Sequence, residues 1–334
     1  MIVGEESREV ERAKIAILRI LDDHPGAIGS YIIARRLKDE YGIELSERAV
    51  RYHLRLLDER GLTQKVSRRD GRDITRKGIE ELKNAMVADK VGFVIDRIEL
   101  LSYLTTFDID RRQGMLPINI SVFPREKFKP ALKAMSAAFK AEMCVSDLVA
   151  VVDEGGKLGD VLIPEGNTGL ATVCSIIING ALLKKGIPMD SRFGGLLQMR
   201  EREPWRFTEL IEYAGSSLDP SEIMIASRMT SVRDIISSGN GKMLANFREV
   251  PVLSVPVVGE VMSKLGEAGI GGLTMMGEVG KPVCEVPVGL NKVGMVLTGG
   301  LNPVAAAVEA GISTTNIAMG GLIDYIELKS FWDL

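Results

Sequence analysis

Leu45-Ser46-Glu47-Arg48-Ala49-Val50-Arg51-Tyr52-His53-Leu54-Arg55-Leu56-Leu57-Asp58-Glu59-Arg60-Gly61-Leu62 contains every signal of a capped, half-buried helix. Ser46 stands where an N-cap hydroxyl accepts a backbone N–H, Glu47 adds negative charge to the first turn, and Gly61 supplies a C-terminal stop. Val50, Leu54 and Leu57 recur at i, i+4 and i+7, so they share one buried stripe.

Upstream, Ala13 to Leu21 aligns Ile17, Leu18 and Leu21 on one face, and His24-Pro25-Gly26 stops that helix. A second helix is expected from about Ser30, burying Ile33 and Leu37 and ending at Tyr41-Gly42. Downstream, Leu62 to Thr75 alternates around Arg69-Asp70-Gly71-Arg72, where Asp-Gly is a hairpin signal. Three helices followed by a two-stranded wing spell a winged helix-turn-helix.

The stripe leaves Arg48, Arg51, Tyr52 and Arg55 facing away from the core. An arginine fork matches guanine O6 and N7 or a phosphate, and a helix fits the major groove, so these four are the expected base and near-base contacts. Lys65, Arg68, Arg69 and Arg72 on the wing are expected to grip the backbone of double-stranded DNA. A solvated charged face is the plainer meaning of scattered arginines. Between Ser46 and Lys77, however, ten Lys or Arg stand against five acids. The whole chain has a formal net charge of −3, so DNA contact is confined to this local surface.

Composition shifts near residues 84–90, from charged helical segments to runs rich in Gly, Val, Ile and Met. The expected domains are therefore 1–85, the DNA-binding domain, and 86–334, a larger mixed α/β effector and dimerisation domain. Asp160 to Ile163 reads as a strand, Pro164 to Gly169 as a turn, Leu170 to Lys185 as a buried helix, and Gly186 as its stop. The pattern returns as strand Val293–Leu297, turn Thr298 to Asn302, helix Pro303 to Ala310 and Gly311. Lys185-Gly186-Ile187 and Ala310-Gly311-Ile312 are each followed by Gly-Gly-Leu, at 194–196 and 320–322, with a third echo at Ala268 to Leu273. These echoes predict an internal duplication; chance recurrence among 35 glycines is the alternative.

Chemistry is narrowed by what the second region lacks. Both histidines, His24 and His53, precede it, which removes histidine triads and most zinc sites. Gly277 to Pro282 and Gly269 to Gly272 each miss residues that a phosphate loop or dinucleotide fingerprint requires. Cys144, Cys174 and Cys284 are too scattered for a metal site or disulfide framework, so reduced buried thiols are expected. The charged N-terminus and the short apolar run 171–178 predict neither secretion nor membrane insertion, hence a cytoplasmic protein.

Two turns are suited to a small anion. In Thr298-Gly299-Gly300-Leu301-Asn302-Pro303 the glycines admit close backbone approach, Asn302 is placed to cap, and the following helix start offers free N–H groups. Gly166-Asn167-Thr168-Gly169 is expected to offer the same geometry, with Arg192 as a carboxylate fork. Ordinary tight connections are the bland alternative. The residues therefore leave three functions open: a ligand-responsive regulator; a metabolite-processing enzyme with an appended winged helix, for which no catalytic constellation is found; and a purely architectural dimerisation domain that binds no small molecule.

The run Leu45 to Leu62 resembles the winged-helix segment of the NrpR family of archaeal nitrogen-regulation repressors. Val293-Gly294-Met295-Val296-Leu297-Thr298-Gly299-Gly300-Leu301-Asn302-Pro303 and Phe193-Gly194-Gly195-Leu196 are similar to that family's glycine-rich regulatory passages. The resemblance covers nearly the whole chain, and its specificity rests on the second domain. It implies repression of nitrogen-assimilation genes, a homodimer on a dyad-symmetric operator, and release by 2-oxoglutarate; the residues themselves lead us to expect no enzyme activity, no metal and no other cofactor. The chain departs from some members in carrying one regulatory domain.

Overall fold

The computed structural model describes residues 2–24, 26–66, 71–84, 92–159 and 161–334. The chain divides into two compact units, Met1–Val91 and Gly92–Leu334. Pro25, Arg68, Arg69, Asp70, Asp160 and the boundary residues 85–90 lie outside the described residues.

The first unit comprises α1 (Ile2–Asp22), α2 (Ser30–Tyr41), α3 (Glu47–Glu59), β1 (Thr63–Lys65), β2 (Arg72–Ile74) and α4 (Arg76–Asn84). Ser46 caps α3 by accepting the Ala49 N–H. At its other end Gly61 adopts φ 71, the Gly61 N–H reaches Asp58 O, and the Leu62 N–H reaches Leu57 O. This is a Schellman closure, for which glycine's left-handed freedom is suited. Ile17, Leu18, Leu21, Ile33, Leu37, Val50, Leu54 and Leu57 form one core. Strands β1 and β2 pair antiparallel as the wing.

The second unit begins with α5 (Phe93–Leu104) and continues through β3 (Met115–Pro124), α6 (Arg125–Lys140), β4 (Leu148–Asp153), β5 (Lys157–Leu158), β6 (Val161–Leu162), β7 (Asn167–Val173), α7 (Ile176–Lys184) and β8 (Asp190–Arg200). It then runs through β9 (Glu203–Glu212), α8 (Pro220–Ala226), α9 (Val232–Ser238), β10 (Gly241–Pro251), α10 (Val255–Glu267), β11 (Leu273–Met276), β12 (Lys292–Thr298), α11 (Asn302–Glu309), β13 (Thr315–Asp324) and β14 (Lys329–Ser330). Two antiparallel five-stranded sheets result, ordered β13-β3-β7-β4-β14 and β11-β12-β10-β8-β9.

The order of elements is consistent with duplication. β3-α6-β4-β7-α7-β8 and β10-α10-β11-β12-α11-β13 follow the same plan, and each repeat gives its last strand to the other's sheet: β8 pairs with β10, and β13 with β3. Helices cross over likewise. One core cluster joins α6 to α11, and the other joins α7 to α10.

The Gly-Gly-Leu runs at 194–196 and 320–322 both fall in the exchanged strands. The third echo differs: Ala268 to Leu273 follows the first helix of its repeat, where the Gly269 N–H bonds Gly266 O and the Ile270 N–H bonds Leu265 O. Its counterpart is Ala141 to Val145, where the Glu142 N–H bonds Phe139 O and the Met143 N–H bonds Ala138 O. Glu142 takes φ 54 against φ 75 at Gly269, so the closure is repeated while the glycine is not.

The expected helix from Leu170 to Lys185 is two elements. Asn167–Val173 is a strand between β3 and β4, and the helix begins only at Ile176. Thr168 to Leu182 is buried throughout, and a segment buried on every side has no period to distinguish strand from helix. The turn expected to end at Gly169 accordingly ends at Asn167.

Candidate nucleic-acid interface and effector cavity

On α3, Arg48, Arg51, Tyr52 and Arg55 are all exposed, while His53 turns inward. Their freedom differs. Arg51 donates to Glu47 Oε1 at 2.5 Å and to Ser30 Oγ at 3.3 Å, and the Arg55 guanidinium lies 3.7 Å from Glu59 and 5.5 Å from the Tyr52 ring centre. Exposed i,i+4 pairs contribute only a few tenths of a kcal/mol and release readily to a phosphate. Arg48 and, on the wing, Lys65 are exposed and have no ion pair among the described residues.

Arg72 departs from the expected solvent-facing wing charge. It is half-buried, and its Nε donates to Asp58 Oδ2 at 2.7 Å, while Thr63 Oγ1 donates to Asp58 Oδ1 at 2.5 Å. Asp58 thereby ties both wing strands to α3. Arg68 and Arg69 lie outside the described residues.

In the second unit the expected anion turns have different fates. Asn167 and Thr168 open β7, with their backbones in ladders rather than at a helix start. Asn302 is fully buried: its Oδ1 accepts the Leu244 N–H at 2.8 Å and its Nδ2 donates to Leu244 O at 3.0 Å, so its amide clamps α11 to β10. Thr298 is buried with its hydroxyl against Thr274. Arg192 donates to Glu249 Oε2 at 3.0 Å, an oxygen that also accepts Lys292 Nζ at 3.0 Å. Burial pushes the Glu249 carboxyl up, but Lys292, the Gly289 N–H and Arg192 outweigh it and hold its pKa below the ordinary value. The Arg192 fork is thus committed to a structural network.

Gly299 and Gly300 do line a cavity, together with Cys174, Ser175 and Ile176 of the other repeat. The two strand-to-helix turns meet there: a Cβ on Gly300 would lie 2.5 Å from Val173 O and 2.6 Å from Asn119 Nδ2. The N-termini of α7 and α11 therefore converge on one space; the Ile177, Ile178 and Asn302 N–H groups already bond Cys174 O, Ser175 O and Gly299 O, so it is the helix dipoles that favour an anion there.

Arg248 of β10 completes the wall. Its side chain is 1% exposed, its guanidinium carbon lies 4.8 Å from the Tyr213 ring centre, and Nε and Nη1 have no hydrogen-bond partner among the described residues. Removing a guanidinium from water costs several kcal/mol unless an anion meets it. Tyr213 donates to Asn246 Oδ1 at 2.5 Å, and Asn246 Nδ2 donates to Ser175 Oγ at 3.1 Å, which leaves the serine proton free to turn toward the cavity. Burial pushes the Tyr213 hydroxyl and the Cys174 thiol each up to about 12, so both keep their protons.

Asp219, a cavity wall, stands near the arginine, and Glu222 stands near Asp219. Asp219 is raised by burial, although it accepts the N–H groups of Ser221 and Glu222. Glu222 is raised to about 7, first by burial and then by Asp219, while accepting the Ala318 N–H at 2.7 Å. The cavity volume is about 30 Å³. As it stands it has room for a water or two. Anything larger requires a wall to move.

The sequence reading missed Arg248 because Asn246-Phe247-Arg248-Glu249 looks like the charged end of a strand. The repeat held the signal: Pro124 and Pro251 end equivalent strands, and counting back from each places Asn119 opposite Asn246.

Residues 91–330 match the family model of the NrpR regulatory domains NRD1 and 2, and residues 15–82 match that of the Ribonuclease R winged-helix domain. The chain is 36% identical to the Global nitrogen regulator NrpRI of Methanosarcina mazei, over 96% of this chain and 98% of that protein. It is 32% identical to the Global nitrogen regulator NrpR of Methanococcus maripaludis, over 94% of this chain but only 54% of that longer protein. A solved nitrogen repressor-like protein from Methanococcus jannaschii superposes with a TM-score of 0.61 at 25% identity, covering 71% of this chain and 98% of that one. Among the described residues no helix is long and apolar enough to cross a membrane.

Proposed function

Since the chain belongs to the NrpR family of nitrogen regulators, and is a transcriptional repressor in nitrogen regulation rather than an enzyme, we propose that it works as a homodimer in the cytoplasm, with two winged helices on a dyad-symmetric operator and a metabolite releasing them. Arg48, Arg51, Tyr52 and Arg55 enter the major groove, and Lys65 with Arg68 and Arg69 holds the backbone. Arg72 sets the angle of the wing through Asp58.

The effector is a small carboxylate, 2-oxoglutarate by the family resemblance, seated between the two repeats against Gly299, Gly300 and Arg248. One observation carries this placement: a fully buried arginine has two donors without partners among the described residues, in a space where two helix N-termini converge. Asn302 supports a wall by clamping α11 to β10, while Arg192, Asn167 and Thr168 hold the sheets instead of touching the ligand. Release requires that the ligand favour the DNA-free state, since equal affinity for both states shifts nothing.

The test is a gel shift of promoter fragments against random duplex, at several salt concentrations and with 2-oxoglutarate titrated in. Preference for promoter DNA that the metabolite weakens is expected; equal binding to both duplexes, or no response to the metabolite, defeats the reading.

A further inference from the structure

The exchanged strand β13 breaks step beside the cavity. Its ladder with β3 runs from Thr315 to Ile317 and resumes only at Gly321, leaving Ala318, Met319 and Gly320 out of register. Side chains hold this bulge instead. The Ala318 N–H donates to Glu222 Oε1 at 2.7 Å, the Met319 N–H donates to Asn119 Oδ1 at 3.1 Å, and Met319 O accepts both Nε and Nη2 of Arg97 at 3.2 Å.

Met319 also has φ 54, a left-handed conformation that a residue with a Cβ adopts only when its surroundings impose it. Ala318, Met319 and Asn119 all line the cavity. The peptide is thus fixed on one side by a cavity amide and on the other by a residue of α5.

Helix α5 is placed to receive what the bulge does. It is the first element of the second unit, following directly in sequence on the segment that joins the winged helix. Ile98, one residue past Arg97, is itself a cavity wall. The core beneath α5 groups Val94, Ile98 and Leu101 with Cys174, Ile176, Tyr213 and Met319, of which only Val94 and Leu101 do not line the cavity. At the far end Thr105 packs against Gly180 of α7 so closely that a Cβ there would come within 2.7 Å.

A ligand larger than a water or two must displace a wall, and a stretch without ladder bonds yields most easily. We infer that the 318–320 bulge reads the occupancy of the cavity, and that Arg97 is the positioning residue that passes its state to α5. The inference rests on the cavity being the effector site. Ligand that draws on Asn119 or pushes Met319 changes the carbonyl Arg97 holds, and with it the seat of α5. A physical route requires these named bonds to have a second arrangement when the cavity is filled, and that second arrangement is what the experiment looks for.

The experiment is hydrogen exchange on the full chain with and without saturating 2-oxoglutarate, for the natural protein, Arg97→Met and Arg97→Lys. Ligand affinity is measured in parallel by thermal shift, and ligand-free melting checks that each variant folds. In the natural protein, exchange is expected to change at both 318–320 and 93–104. Arg97→Met keeps the response at the bulge and an affinity within about twofold, but loses the response in α5. Arg97→Lys, which keeps the charge with different donor geometry, recovers it in part.

A natural protein that responds in the cavity strands but not in α5 overturns the relay while leaving the effector site standing, as does an Arg97→Met variant whose α5 still responds. Loss of ligand binding in Arg97→Met makes Arg97 part of the binding wall and also overturns it. No response anywhere overturns the effector site, and the relay with it.

Discussion

Asn119 and Asn246 occupy equivalent positions in the two repeats and face the same cavity, each near the strand-to-helix turn of the other repeat: Asn246 bonds Ser175 at 3.1 Å, and Asn119 lies against Gly300. The cavity is therefore shared by the repeats and belongs to neither alone. The symmetry stops at the next inward residues, where Arg248 of β10 corresponds to Ser121 of β3, whose hydroxyl is spent on Asn316. A dicarboxylate such as 2-oxoglutarate would therefore meet a buried guanidinium on one side of the cavity and not on the equivalent side. Replacing Arg248 by Met leaves the apolar stack on Tyr213 and removes two unmatched donors. Arg248→Met is expected to leave ligand-free melting unchanged or raise it, while abolishing the increase that 2-oxoglutarate causes. That increase corresponds to roughly 2.7 kcal/mol at a hundredfold excess over Kd. A thermal-shift titration of both proteins decides it.

Space at the turn gives a second expectation. A Cβ at position 300 meets a backbone oxygen and an amide nitrogen inside 3.0 Å, and Val173 O cannot retreat without disturbing β7. Gly300→Ala is expected to lower stability by about 1–3 kcal/mol and to weaken ligand binding more than tenfold by pressing the turns apart. Chemical denaturation and the same titration report both effects.

What the sequence disclosed follows from where a period exists. In the first unit each helix buries one face, so the stripe Val50, Leu54, Leu57 and the caps Ser46 and Gly61 were readable. In the second unit β3 is buried on both faces from Leu116 to Phe123, and β7 runs into α7 without an exposed residue, so pattern fails there. Asn167 and Thr168 resembled a turn because Gly-Asn-Thr-Gly is turn chemistry, yet two neighbouring strands claim their backbones. Arg72 looked like a free wing charge because the acid it meets, Asp58, lies fourteen residues upstream on another element. The cavity-lining turn was legible at Gly299 and Gly300 but not at Cys174 and Ser175, which carry no glycine to mark them.

Acid chemistry near the cavity makes stability depend on pH. Glu222 titrates near 7 in the folded chain against an ordinary value of 4.5, because burial and Asp219 both oppose its charge. A raised folded-state pKa means the stabilising contribution is complete below about 4.5 and is lost as pH rises through about 7. Glu222→Gln removes the titration. The variant is expected to match the natural protein near pH 5 and to exceed it at pH 8 by on the order of 2 kcal/mol. Parallel unfolding curves across pH 5 to 8 in both proteins would refute this.

On the DNA side, Arg48 and Arg72 are both wing-and-helix arginines with opposite expected signatures. Arg48 is exposed and has no ion pair among the described residues, so Arg48→Ala should leave melting within about 0.5 kcal/mol of the natural protein. Its loss should cost about 1–3 kcal/mol of promoter affinity if it reads a base, changing preference among sequences, or lower the salt slope by about one if it holds a phosphate. Arg72 is paired to Asp58 at 2.7 Å where water is partly excluded. Arg72→Ala leaves Asp58 and its Thr63 bond without that partner, and should destabilise the winged helix by about 1–2 kcal/mol while loosening the hairpin. Promoter binding by Arg72→Ala should weaken uniformly across sequences through a displaced wing, and Asp58→Ala should weaken it similarly, although that change removes negative charge from the surface. If Asp58→Ala instead strengthens binding, bulk charge outweighs wing geometry, and Arg72 belongs with the phosphate contacts after all.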